Sequence, residues 1–128
     1  MRDEDQIQKA ICQFLDKALP SDSYYFAVPN GSVLAGNPKQ RGMQMNKLKA
    51  TGLKLGCPDL FIIIRGIIFA VEVKTDTGKL SDNQRTACDQ IVAAGALWAV
   101  ARSVEDVERI LTDAGITLHA KAALSALR

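Results

Sequence analysis

The sequence predicts an α/β domain: a central mixed sheet with a long hairpin at its heart, flanked by helices. Three observations predict it. The run from Leu60 to Val73 is the most apolar part of the chain, and its β-branched and aromatic residues suit a pleated, buried surface. Ahead of it, Ile7, Ala10, Ile11, Phe14, Leu15 and Ala18 recur at helical spacing, the pattern of a helix with one apolar face. After it, a capped helical pattern leads to another apolar strand, the order a parallel crossover requires. With 128 residues the chain fits one domain, residues 1–128, large enough to bury a core without disulfides.

Taken in order, Asp3 caps the first helix, with Gln6 three residues on to complete a capping box. Tyr24 to Val28 reads as a strand, and Pro29 to Pro38 as a loop with turn signals at Asn30-Gly31 and Gly36-Asn37-Pro38. Lys39 to Ala50 reads as a helix ended by Thr51-Gly52. Leu60–Ile64 and Ile67–Val73 form a hairpin about Arg65-Gly66, where Gly66 can take the positive φ of a tight turn. Ser81 and Gln84 make a second capping box for a helix to about Ala94, with Gln84, Ala87, Cys88, Ile91 and Val92 on its inner face. Leu97–Ala101 is a strand expected parallel to Ile67–Val73, with Trp98 in the core. Ser103 caps a helix to about Ala114, stopped by Gly115. Ile116 to Leu118 is expected as a short strand, and a small helical tail follows from His119, itself a surface or capping residue.

The hairpin carries the chemistry. Its register pairs Ile64 with Ile67, Ile62 with Phe69 and Leu60 with Val71, so one step further Asp59 faces Glu72. Like charges opposite one another destabilise a sheet. Lys74, two residues beyond Glu72, points the same way. Two carboxylates and an ammonium thus gather at the end of an otherwise apolar hairpin, and a divalent cation would relieve their repulsion. Hard cations such as Mg²⁺ use one or two carboxylates together with substrate phosphate. Each piece has an ordinary explanation when taken singly: Glu-x-Lys as a solvated pair, Asp after Pro as turn chemistry. In facing register, the metal-site reading is preferred. Glu4 heads the apolar stripe of the first helix; its spacing fits a carboxylate reaching the sheet edge and an acid in a first helical turn equally well. Gln84, a polar residue at the head of an apolar stripe, is explained by capping alone or by hydrogen bonding within the site.

Net charge is only +2, but its distribution is uneven. No acidic residue occurs from Ser23 to Pro58, while Lys39, Arg41, Lys47, Lys49 and Lys54 all fall there. Such a patch suits phosphate backbones, although a solvated helix face has the same look. Gly52 and Gly56 give the following loop freedom to approach a phosphate closely. The polar loop at Asn30, beside the proposed site, reads first as an ordinary surface loop and second as a candidate for nucleic-acid contact. Cys12, Cys57 and Cys88 are odd in number and widely spaced, which fits neither zinc nor a disulfide framework. With no signal-peptide pattern and no membrane-length apolar run, a cytoplasmic, reducing setting is expected.

Pro58-Asp59, a hydrophobic hairpin, and Glu72-Val73-Lys74 resemble the PD-(D/E)XK nuclease signature. The fuller context resembles its VRR-NUC branch: Glu4 and Gln8, Pro29-Asn30-Gly31, Gly52 to Gly56, Gln84, and Val100-Ala101-Arg102-Ser103. The resemblance covers Glu4 to about Ser103; the signature is short and degenerate, while the ordered set of matches is far more specific. It implies a restriction-endonuclease-like core and a DNA endonuclease dependent on Mg²⁺ or Mn²⁺. It implies metal ligands at Asp59, Glu72 and the Val73 carbonyl, with Glu4 as an outer ligand, and catalytic roles for Asp59, Glu72, Lys74 and Gln84. The family includes the Fanconi-associated nuclease, which cuts flaps. A chain this compact looks more like the viral and bacterial stand-alone members, which resemble junction-resolving homodimers of a bacterial or phage-infected cell. A non-catalytic DNA-binding module and a sequence-specific restriction-type enzyme are the competing readings.

Overall fold

A computed structural model describes residues 3–29 and 34–122. Its elements are α1 (Glu4–Ala18), β1 (Ser23–Ala27), α2 (Pro38–Ala50), β2 (Leu60–Ile64), β3 (Ile67–Val73), α3 (Asp82–Ala93), β4 (Leu97–Ala101) and α4 (Val104–Asp113). The strands form one sheet in the order β1-β2-β3-β4, antiparallel at the first two junctions and parallel between β3 and β4. The chain is therefore the mixed sheet with flanking helices that the sequence predicts. The hairpin register is also the expected one, Leu60 against Val71 and Ile64 against Ile67. Arg65 (φ 48°) and Gly66 (φ 83°) both take positive φ, which the two-residue turn demands of both central positions rather than of the glycine alone.

Alternation along the strands sorts the sheet into two faces. Leu60, Ile62 and Ile64 of β2 and Phe69, Val71 and Val73 of β3 are buried on one of them. Against this face pack α1, through Ile7, Ile11, Phe14, Leu15 and Ala18, and α4, through Val107 and Leu111. Fully burying a side chain such as Ile11 contributes about 2–3 kcal/mol. The other face carries Tyr24 and Phe26 of β1, Phe61 and Ile63 of β2, Ile68 and Glu72 of β3, and Trp98 of β4. Among the described helices, α3 covers part of it.

Capping residues set the helix starts. Asp3 with Gln6, Asn37 with Gln40, and Ser81 with Gln84 each form a reciprocal capping box. The middle box moves the start of α2 to Pro38, assigned to the loop by the sequence; proline suits the first helical position because its missing N–H has no partner there. α2 buries none of its residues.

Four expectations fail over the described residues. Val92 lies 53% exposed rather than inward, because α3 meets the sheet chiefly through Ala87. Trp98 is half-buried rather than a core residue, as it stands on the face that α3 covers only in part. Ile116 to Leu118 is not a strand. The Ile116 amide donates to the Leu111 carbonyl (3.0 Å) and the His119 amide to the Ala18 carbonyl (2.8 Å), so these backbone groups close helix ends instead of joining the sheet. Residues 119–122 are not helical, and the rest of the expected tail lies outside the described residues. Among the described residues no helix is long and apolar enough to cross a membrane.

Candidate active site

The site is built where β2 begins and β3 ends. Pro58 is buried and delivers Asp59 to the mouth of β2, where its carbonyl accepts from the Val28 amide (2.8 Å), extending the β1–β2 ladder. Asp59 Oδ2 accepts from the Val73 amide (2.8 Å), which fixes the carboxylate against the end of β3 beside Glu72. Glu72 is 2% exposed. Its Oε1 accepts from Gln84 Nε2 (3.0 Å), while Oε2 is buried with no hydrogen-bond partner among the described residues. Burial first, then a hydrogen bond that only the protonated Glu72 can make to Asp59, and the charge of Asp59, push the Glu72 carboxyl from its ordinary 4.5 up to about 8; Lys74 works the other way and Glu4 adds to the rise. Two carboxylates so placed repel one another when both are ionised.

Gln84 satisfies both explanations the sequence left open. Its Oε1 accepts from the Ser81 amide (2.9 Å) in the capping box, which leaves its Nε2 to face Glu72. The loop before β2 closes against the same helix end. A Cβ on Gly56 (φ 77°) would lie 2.3 Å from the Asn83 carbonyl, so only glycine lets this loop touch the first turn of α3. The resulting cleft, about 410 Å³, is lined by Glu4, Lys54, Cys57, Asp59, Glu72 and Gln84 among others. Burial, with Glu72 and Asp59 nearby, pushes the Cys57 thiol up, so it is not a ready nucleophile.

Lys74 is buried, and its stem lies under the turn that follows β3. A Cβ on Gly78 would come within 3.3 Å of Lys74 Cδ. Arg102 holds that turn: its Nη1 donates to the carbonyls of Thr75 (2.6 Å), Gly78 (2.9 Å) and Asp76 (3.4 Å). In the sequence Arg102 stands out only as part of the Val100–Ser103 segment; its clamp joins positions 24 to 27 residues apart and leaves no local signal.

Of the other predicted residues, Glu4 lines the cleft from an exposed position at the start of α1. Lys39, Lys47 and Lys49 are exposed on α2, while Arg41 Nη1 also donates to the Gly36 carbonyl (2.7 Å), which ties it to its own loop. Asn30 lies outside the described residues. Among the described residues no three His, Cys, Asp or Glu side chains are grouped closely enough to hold a metal ion by themselves. The donors still suit a hard cation. A buried carboxylate oxygen without a partner, next to a second carboxylate in an open cleft, matches ions that take one or two carboxylates and fill the rest of their shell with water or phosphate.

A mixed sheet flanked by helices, with paired carboxylates and a lysine at the end of its central hairpin, is the arrangement of an α/β nuclease-type domain. The VRR-NUC domain family matches residues 4–105, and the chain belongs to that family. Two solved structures share the fold. A "VRR_NUC domain protein" has a TM-score of 0.69 and 20% identity, covering 88% of each chain. A "VRR_NUC domain" has a TM-score of 0.55 and 22% identity, covering 85% of this chain and 94% of the other. Comparison with curated proteins gives no match.

Proposed function

We propose that this chain is a DNA endonuclease dependent on Mg²⁺ or Mn²⁺, selective for branched DNA and cutting four-way junctions as a homodimer. The observation that carries the reading is the Asp59–Glu72 pair, with one Glu72 oxygen buried and unpartnered. Asp59, Glu72 and the Val73 carbonyl would hold the cation, with Glu4 reaching it through water. A cation held there would supply a lowered pKa for its water and offset charge on phosphate oxygens. Lys74 orients the attacking water and offsets the negative charge that develops as its oxygen adds to phosphorus. The water's proton passes to bulk solvent, the bridging P–O bond breaks, and the departing oxygen takes up a proton from solvent in its turn. Gln84 keeps the Glu72 carboxylate aimed into the cleft. Lys39, Lys47, Lys49 and Lys54, with Arg41 and Asn30, supply contacts to the phosphate backbone.

The test is cleavage of four-way, flap and linear DNA with Mn²⁺ by the wild type, Asp59→Ala and Lys74→Ala. Each variant should lose about a hundredfold or more in rate while still binding DNA. Equal cleavage by all three proteins would remove these residues from the chemistry. Equal cleavage of every substrate would remove the preference for branches.

A further inference from the structure

The sheet face that α3 leaves open exposes a cluster of large apolar side chains. At the hairpin-turn end it forms a groove of about 740 Å³ whose lining includes Phe26, Phe61, Ile63, Ile68, Ile91 and Leu97, with no charged residue among the described ones that line it. Phe26 stacks on Phe61 (ring centroids 5.5 Å apart), and Tyr24 stands beside them at 6.3 Å from Phe26. Tyr24 is 66% exposed, Leu97 49%, and Phe26 and Ile68 40% each. Together these groups and their half-buried neighbours offer on the order of 500 Å² of apolar surface, the upper range of what a monomer leaves uncovered.

We infer that this face is where a second copy of the chain docks, an inference that rests on the homodimer reading above. The lining chemistry argues against nucleic acid, since a phosphate backbone needs cations and this groove offers none. The area is of the same order as, though below, the roughly 800 Å² per partner of a standard interface, as befits a dimer that forms with concentration. A two-fold axis matches a surface to itself, so a projecting ring beside an apolar groove is a self-complementary pair: Tyr24 of each copy enters the groove of the other. The position also leaves both clefts free. Ile68 and Glu72 share a face of β3 but are four residues apart, about 13 Å along the strand. Docking at the turn end therefore leaves the carboxylates open to substrate.

The experiment is sedimentation of the whole chain across a concentration series. The wild type should sediment at twice its 13.9 kDa mass. Tyr24→Glu and Ile68→Glu should each weaken association about tenfold or more with unchanged circular dichroism, whereas Met43→Glu, at an equally exposed apolar position on α2, should not. Hydrogen exchange in the wild type carries the test without substitutions: amides of β1 and of residues 94–98 should slow as the chain associates. A chain monomeric at every concentration, a dimer that survives both substitutions, or protection confined to other elements would overturn the inference. So would oligothymidylate binding by a monomer that Tyr24→Glu abolishes, which would assign the face to DNA. The two readings fail separately. A dimer broken by these changes but inert on every DNA keeps the interface and loses the nuclease; junction cutting by a strict monomer does the reverse.

Discussion

At the scale of the residue, Glu72 governs the behaviour of the site. Its carboxyl holds a proton more tightly in the folded chain, about 8, than in the unfolded one, near 4.5. The stabilisation this gives is complete below pH 4.5 and is lost as pH rises to about 8, because over that window the unfolded chain has released the proton and the folded chain has not. The difference is on the order of 2–4 kcal/mol, below what the full shift implies because the cleft opens to water. Glu72→Gln, which cannot ionise, should flatten this part of the pH–stability curve in denaturant titrations without metal. The same proton must leave before a cation is held by both carboxylates. Mn²⁺ uptake should therefore release close to one proton near pH 7 and strengthen toward pH 8. Calorimetry in buffers of different ionisation enthalpy reads both. Uptake without proton release would mean that Glu72 is not a ligand.

Arg102 acts on the neighbouring group. Three carbonyl contacts from one guanidinium hold the turn over the Lys74 stem, and hydrogen bonds to a charged donor are worth about 1.5–3 kcal/mol. Arg102→Ala should cost an amount of that order in stability. Arg102→Lys should recover only part of it, since its Nζ stands one bond nearer the backbone than the Nη1 that makes all three contacts.

At the scale of the element, the loop before β2 and the first turn of α3 form one unit with Gly56 as the contact point. Gly56→Ala would force a Cβ to 2.3 Å from the Asn83 carbonyl and 2.6 Å from the Gln84 amide, both backbone atoms that cannot swing aside. The loop must retreat, and the cleft between Asp59 and Gln84 widens with it. A loss of about 2 kcal/mol or more, with weakened Mn²⁺ binding, is the expected result. Unaltered melting and metal affinity would show that the loop adapts freely. How much of this the sequence disclosed follows from range. The hairpin register, and with it the meeting of Asp59 and Glu72, was legible because alternation and a two-residue turn fix it locally. The capping boxes at Asp3 and Ser81 were legible for the same reason. The clamp of Arg102, the exposure of Val92 and the helix-end contacts of Ile116 and His119 depend on how distant elements pack, which no local pattern encodes.

At the scale of the whole molecule, the charge is divided between elements. α1 and α4 begin with acidic residues, whereas α2 carries none and buries nothing against the core. A helix of 13 residues gains little from its own backbone and is marginal in water without packing, so a contact outside the fold is its natural stabiliser. One of its residues, Met45, reaches the edge of the cleft that Asp59 and Glu72 line. If the contact is the phosphate backbone, affinity for DNA must fall with salt in proportion to the phosphates engaged. Lys47→Ala with Lys49→Ala should lower the slope of log affinity against log salt by about 2, or nearer 1.5 on unpaired strands. Arg41→Ala should lower it less, because that guanidinium already serves the Gly36 carbonyl. Lys54→Ala should affect cleavage beyond its effect on binding, since Lys54 lines the cleft itself. Fluorescence anisotropy over a salt series measures the slopes. A slope unchanged by the double substitution would leave α2 without a nucleic-acid role and return its charges to the solvent.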